Sequence, residues 1–386
     1  MSFGKAKTMP NVLVTWASPD SANIGVQTLA FGAEFLANRI FSDQDKIKVS
    51  FALFNDLENR ALLSNKTLLF SLFTRKTTLH SYLKAFDLIL DTCGGDSFTD
   101  IYGKRRFMRI MLLQRAATQM GVPVIMTHQT FGPFRSKAMQ KVASWHLNRN
   151  KSILLICRDS KSFEIASRFL NSKRLILSTD LSFYFAEKSD LIRSGIAVNV
   201  SGLLWAANSH VDYLQYRSET MKLLKALLSS GMAVTIFENV RSFQDPTDDD
   251  SMPTEVLKSH FGDSLSYLEP KTLLEAKQSL KKFEVVVGAR MHACLNALSA
   301  GTPAIAQAYS RKFAPIFEDL GWPIGVDLRV DEFFATEVMS LIPDISQRKS
   351  EVGQVNKLAI ELLESAEDKI RHWLASGAVD TPSRSR

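Results

Sequence analysis

The chain of 386 residues carries 47 Lys and Arg against 40 Asp and Glu, a net charge of +7, with 45% hydrophobic and 23% charged residues. This composition excludes disordered, fibrous and disulfide-framed classes and leaves room for two domains of roughly 100–200 residues. It offers no apolar run of about 18 residues to span a membrane and no block of five cations, so nucleic acid is not an expected partner.

In chain order, "NVLVTWA" (Asn11–Ala17) is the first predicted strand. The residues before it lack the apolar region and cleavage site of a signal peptide. Further strands are predicted at "IKVSFALF" (Ile47–Phe54), "FDLILD" (Phe86–Asp91), "VPVIMTH" (Val122–His128), "SILLICR" (Ser152–Arg158) and "RLILS" (Arg174–Ser178). Amphipathic stretches such as "GVQTLAFGAEFLANRI" and "RRFMRIMLLQRAATQM" separate them. Continuous apolar strands alternating with helices predict a parallel sheet covered on both faces. The polar, Gly-terminated "YFAEKSDLIRSG" marks a boundary, giving a Rossmann-like domain over 1–188 and a second over 189–345. The second holds "SGIAVNVS", "MAVTIFEN", "FEVVVGA" and "PAIAQAY" as strands. Residues 346–386 form a C-terminal helix and a fraying tail. A long final helix packing back on the first domain is the plan of two-Rossmann, GT-B-like glycosyltransferases.

Ligands of open α/β sheets lie at the carboxyl ends of the strands, and several strand ends here carry unusual residues. "DTCGGDSFTD" ends a strand in Gly94-Gly95, then Asp96 and Asp100. It serves either as a close approach for a ligand or as a tight turn with an N-cap. It is neither a Walker A loop nor a G-x-G-x-x-G turn. His128 ends the next strand, as an acid/base or as a structural histidine. Arg158 closes "ILLICR", suited to phosphate or carboxylate, or to a salt bridge. In "VVVGARMHACLNALSAGTPAIAQAYSRKF", Arg290 and His292 stand at a strand end before a small-residue helix, and Lys312 follows the next strand. Three cationic side chains and a helix N-terminus read best as an anion site. Cys93, Cys157 and Cys294 lie in or beside apolar segments without C-x-x-C spacing, which predicts reduced cytosolic thiols and no zinc site. No metal-ligand spacing is visible. The acidic "FQDPTDDDS" (Phe243–Ser251) reads as a loop that touches substrate or is solvated.

These blocks, in this order, resemble the polysaccharide pyruvyl transferase family over nearly the whole chain. The family's elements stand here as "DTCGGDSFTD", "HQTFGPF", "CRDSKSF" and "STDLSFYF". The most specific one comprises Arg290, His292, Ala297, Gly301 and Pro303, followed by Tyr309 and Lys312. One position departs: the family's Asn-x-Gly-Asp is here Asn23, Gly25 and Val26, without the acid.

The resemblance implies a cytoplasmic transferase that places pyruvate from phosphoenolpyruvate, as a ketal, on a sugar of a polysaccharide or its lipid-linked precursor, releasing phosphate. Phosphoenolpyruvate is a co-substrate, and no cofactor is implied. On this reading Arg158, Arg290, Met291 (through its N–H), His292 and Lys312 hold the donor in the second domain's site. Arg290, His292 and Asp96 carry catalysis. Asn23, Gly94, Gly95, Asp96, Asp100 and His128 line the acceptor side. The basic surface permits peripheral contact with the inner membrane. The competing expectation is a nucleotide-sugar-dependent glycosyltransferase of the same fold.

Overall fold

The computed structural model describes residues 9–44, 46–53, 64–71, 73–186, 191–242 and 246–376. The expected boundary at 188/189, the tail after Ser376 and the first residues of the acidic loop lie outside them. The chain divides into two compact units. One holds Met1–Ser18, Leu29–Thr179 and Leu362–Arg386; the other holds Pro19–Thr28 and Asp180–Glu361. The division is thus not a single cut, because a ten-residue segment near the N-terminus belongs with the second unit.

The elements of the first unit are β1 (Asn11–Thr15), α1 (Ile24–Ile40, whose first turn counts with the second unit), β2 (Lys48–Ala52), α2 (Asn65–Phe70), α3 (Thr78–Leu83), β3 (Leu88–Asp91), α4 (Lys104–Gln119), β4 (Val124–Gln129), α5 (Lys137–Arg149), β5 (Ile153–Cys157), α6 (Ser160–Ser167) and β6 (Leu175–Leu177). All six strands are parallel, in the order β2-β1-β3-β4-β5-β6. Strands β3, β4 and β5 are buried along their whole length, which is why they read as unbroken apolar runs. The β1–β2 connection runs opposite to the later ones, so right-handed crossovers place α1 on one face and α2–α6 on the other. On that second face α4 packs against α2, α3 and α5. Phe98, Phe107, Phe131, Phe134 and Phe169 interlock beneath the loops that follow β3 and β4.

The second unit contains β7 (Ile196–Asn199), α7 (Gly202–Trp205), α8 (Tyr213–Ser229), β8 (Val234–Phe237), α9 (Ser251–Phe261), β9 (Ser266–Leu268), α10 (Leu273–Leu280), β10 (Val285–Gly288), α11 (Met291–Ser299), β11 (Ala304–Ala308), α12 (Phe313–Asp319), β12 (Gly325–Asp327) and α13 (Phe334–Gln347). Its sheet is again six parallel strands, β12-β11-β10-β7-β8-β9. The expected strands are all present. The two that sequence patterning did not reveal, β9 and β12, are the edges of this sheet.

Helix α14 (Lys349–Ala375) closes the chain. Its later residues belong to the first unit, where Glu367 is 3.0 Å from Arg39 and Ser178 Oγ donates to the Leu362 carbonyl at 3.2 Å. The expected return of the C-terminal helix to the first unit is therefore present.

Candidate active site

In the second unit, the pairing of β7 with β10 sets Asn199 opposite Gly288. The Asn199 side chain then accepts the Arg290 N–H at 2.9 Å and fixes the chain where it leaves the strand. Gly288 has no room for a side chain, since a Cβ there would stand 2.6 Å from Cys294 Sγ.

The guanidinium of Arg290 is buried and points at carboxylates. Nη2 lies 2.7 Å and Nε 3.1 Å from Asp250 Oδ1, and Nη1 bonds Asp248. Burial opposes its charge, but Asp250 and Asp248 outweigh that and hold its pKa above the ordinary arginine value. Asp250 is fully buried and also accepts N–H groups of Gly202, Asn239 and Val240, and the Asn199 amide. The expectation that Arg290 grips the donor therefore needs correcting. Its positive charge is matched within the protein, and it ties the β10 end to the acidic loop.

His292 is in another position. Its Nε2 is 3.6 Å from Asp180 Oδ2 and makes no hydrogen bond among the described residues. Its Nδ1 side faces Gly25, where an added Cβ would stand 2.8 Å from that nitrogen. Asn23 is the reason Gly25 sits there. Its Oδ1 accepts the N–H of Gly25 at 2.8 Å and of Val26 at 3.3 Å, capping α1. Asn296 of α11 donates to Thr28 at 3.1 Å, holding the α1 start on α11. Asn23 and Gly25 thus build the seat for His292 rather than an acceptor wall, and Val26 occupies the same first helical turn. Helix α11 begins at Met291, with Arg290 in the N-cap position and no side-chain cap hydrogen bond there, so the amide end of its dipole lies at the β10 end beside His292.

Lys312 starts α12 and acts electrostatically on His210, whose pKa is lowered by burial and then by this lysine. The His210 ring packs 5.2 Å from Tyr309. Beside them His210, Asp212, Gln215, Arg329 and Glu332 line an open polar cleft.

In the first unit the strand-end residues are mostly committed to loops. Asp91 accepts the Cys93 N–H at 2.9 Å and the Gln114 amide at 2.7 Å; burial raises its pKa. The turn above it places Gly94 and Gly95 at φ of 58° and 85°. The Arg158 guanidinium underlies this turn, Nη1 standing 3.4 Å from where a Gly95 Cβ would be, while Nε donates to Thr130 at 3.1 Å. Asp159 caps α6 through Ser162, and Ser162 Oγ accepts the Phe131 N–H. The Arg-Asp-x-x-Ser element is therefore a clasp between β5 and the loop after β4. Two acceptor-side expectations change. Asp100 accepts the N–H groups of Arg135 and Ser136 at 2.7 and 2.9 Å and braces the loop before α5. His128 is fully buried, at φ 31°. Asp96 remains at the surface end of the turn, accepting the Tyr102 hydroxyl at 2.7 Å.

The donor candidates are thus divided, with Arg158 in the first unit and Met291, His292 and Lys312 in the second. Sequence reasoning did not single out Asp180 or Asp250. Asp180 stands three residues past the end of β6 in "STDLSFYF", and Asp250 ends the acidic run just before a helix; both are positions where a carboxylate meets a neighbouring strand end. The cysteines are free and buried, and no group of three or more His, Cys, Asp or Glu placed for a metal occurs among the described residues.

Two Rossmann-like parallel sheets in one chain, with a charged strand end in the second, define a GT-B-like enzyme fold. Solved structures of that fold resemble it over nearly the full length. They include the S. aureus MnaA–UDP structure (10% identity, TM-score 0.58, covering 95% of this chain and 97% of that one). UDP-GlcNAc 2-epimerase from Neisseria meningitidis bound to UDP-GlcNAc is similar at 12% identity and TM-score 0.56 (95% and 100%). Anabaena Alr3699/HepE in complex with UDP and glucose gives the same values. Residues 30–311 match the polysaccharide pyruvyl transferase profile, and the chain belongs to that family of enzymes. A curated relative, the amylovoran biosynthesis protein AmsJ of Erwinia amylovora, is 22% identical over 73% of this chain and 74% of its own length.

Proposed function

We propose that this enzyme transfers pyruvate from phosphoenolpyruvate onto two hydroxyls of a sugar, as a ketal, during synthesis of an exopolysaccharide or its lipid-linked precursor. The observation that carries the reading is His292, held beside the buried Asp180 at the uncapped start of α11, within the stretch that matches the family. The relative named for amylovoran biosynthesis supports an exopolysaccharide as destination.

The chemistry fits one imidazole. The enol C–O bond to the bridging phosphate oxygen breaks, and two C–O bonds to the sugar form. Of the two hydroxyl protons, one ends on the donor's methylene carbon, making a methyl group, and the other leaves with phosphate. The group that protonates the methylene must therefore recover a proton from an attacking hydroxyl. A histidine backed by a carboxylate does both. Asp180 stabilises the imidazolium, and Gly25 holds the ring in place. Anionic donor groups are received by the Met291 and His292 N–H groups and by Lys312. Arg290 acts as a positioning residue. In the first unit, Arg158 supports the Gly94-Gly95 turn.

The test is phosphate release from phosphoenolpyruvate with a panel of free and lipid-linked oligosaccharides, beside thermal-shift measurements with phosphoenolpyruvate and UDP-sugars. Acceptor-dependent release that is lost in His292→Ala supports the reading. Stabilisation by a UDP-sugar alone, with no phosphate release on any acceptor, would replace it by glycosyl transfer.

A further inference from the structure

Charge is distributed very unevenly along this chain. Residues 65–158 hold 15 Lys and Arg and 4 Asp, a surplus of eleven, whereas the whole chain's surplus is seven; the remainder is acidic by four. From Ile101 through Arg158 there is no Asp or Glu. Two of the four carboxylates, Asp91 and Asp100, are buried. The stretch builds α2, α3, α4 and α5, the helical layer that covers one face of the first sheet. Elsewhere many surface cations are paired, as Lys161 is with Glu164 and Lys258 with Glu255. Lys66, Arg75, Lys76, Lys104 and Arg105 are exposed and take part in no described ion pair.

The same layer exposes apolar side chains among these cations. Leu69 and Phe70 at the end of α2 are 50% and 58% exposed, and Phe73 just after it is 84% exposed. They lie between Lys66 on one side and Arg75 and Lys76 on the other. On α5, Trp145 is 54% exposed with the guanidinium groups of Arg115 and Arg149 at 5.6 and 5.8 Å from its ring. Aromatic and aliphatic side chains projecting from a field of unpaired cations match the two-part character of an anionic bilayer, charged at the headgroups and apolar just beneath. A nucleic acid would satisfy the cations but leave Leu69 and Phe70 against a hydrated backbone.

We propose that the α2–α5 layer of the first unit docks on an anionic lipid surface, with Phe70 and Phe73 entering the interface and the surrounding Lys and Arg meeting the headgroups. The inference is independent of the donor chemistry. It brings the enzyme to the surface where a lipid-linked glycan would be found.

Sedimentation of the full chain with vesicles tests it, comparing phosphatidylcholine alone with roughly 30% phosphatidylglycerol at low and high salt. Binding is expected only to the anionic vesicles and is lost at high salt. Each cation near the surface is worth roughly fivefold in partitioning, so Arg75→Glu with Lys76→Glu should weaken binding at least ~tenfold. Phe70→Ser with Phe73→Ser should do the same by removing apolar burial. Both double variants should keep the wild-type melting temperature and phosphate release on a soluble acceptor. The proposal fails if anionic vesicles do not bind the chain at low salt, if neutral vesicles bind it equally, or if both double variants bind as wild type. It also fails if a duplex oligonucleotide binds more tightly and displaces the vesicles. A chain that binds vesicles but never releases phosphate would overturn the transferase reading and leave this one standing.

Discussion

The two units use the same sheet in different ways at the carboxyl ends of their strands. In the first, the polar residues turn inward and hold loops: Asp100 braces residues 135–136, Asp159 and Ser162 clasp β5 to the β4 loop, and Asp91 supports the glycine turn. In the second, one buried carboxylate, Asp250, gathers a strand end, a loop and an arginine. That leaves His292, 3.6 Å from Asp180 at the α11 start, as the group on which the proposed chemistry rests. Charged residues at strand ends are therefore not equivalent. What each does depends on whether its partners are backbone amides of its own unit or are still to be supplied by a ligand.

The largest effect expected from this difference is at Asp250. Asp250→Ala removes the acceptor for three backbone N–H groups and leaves Arg290 buried with only Asp248, which is partly exposed. Stranding a buried charge in this way costs about 3–5 kcal/mol. Chemical denaturation should show the second unit unfolding at much lower denaturant while the first keeps its transition. In the first unit Asp100→Ala frees only two loop N–H groups, and its effect should be smaller, about 1–3 kcal/mol. Equal losses at the two sites would erase the contrast.

Next comes His292→Ala. The side chain is only 15% exposed but bonds little, so its removal should hardly move the melting temperature. Phosphate release should fall by about 10²–10⁴-fold, the usual contribution of a positioned acid/base. Retained turnover would remove the imidazole from the mechanism.

Much of this was legible beforehand because both sheets are built from central strands buried on two faces, which leave continuous apolar runs. β9 and β12 escaped because each is a three-residue edge strand with polar or glycine positions, SYL and GVD, whereas β6, equally short and also at an edge, is apolar throughout as LIL. His292 was legible because its block is contiguous in sequence. Its partners were not: Gly25 lies 267 positions away and Asp180 lies 112, and the acidic loop carrying Asp250 has a composition that reads equally as solvated surface. Arg290 was misread for the same reason, since a cation at a strand end looks free until its carboxylates are placed.

A third contrast is in pH response. In the first unit, His146 Nε2 lies 2.8 Å from Gln114 Oε1, and Asn150 Nδ2 lies 3.2 Å from His146 Nδ1. Gln114 donates its amide to Asp91, so its oxygen accepts, and the imidazole is satisfied as the neutral form protonated on Nε2. Burial, then the charge of Arg115, pushes its pKa down to about 3. Below the unfolded value near 6.5 the unfolded chain binds a proton that the folded one does not, so stability falls with pH in that window. The slope is about 1.4 kcal/mol per pH unit, or about 2 kcal/mol between pH 6.5 and 5. Replacing His146 by Gln should flatten the dependence of the first unit's transition over that range, and an unchanged slope would assign it to other groups.

The smallest expected change is the most discriminating. Gly25 is a helical residue, and Ala in its place should favour α1 by up to roughly 1 kcal/mol. The added Cβ, however, would stand 2.8 Å from His292 Nδ1 and 3.1 Å from Asn23 Oδ1, so the ring must move away from its seat. A misplacement of this kind is expected to lower kcat about tenfold, with KM and melting temperature held or the latter slightly raised. If Gly25 served only to let the chain turn, stability would fall and kcat would stay unchanged. If it seats His292, kcat falls while the fold stays intact, because the ring then stands elsewhere relative to Asp180. Gly25→Ala therefore separates a glycine needed for the backbone from one needed for its neighbour.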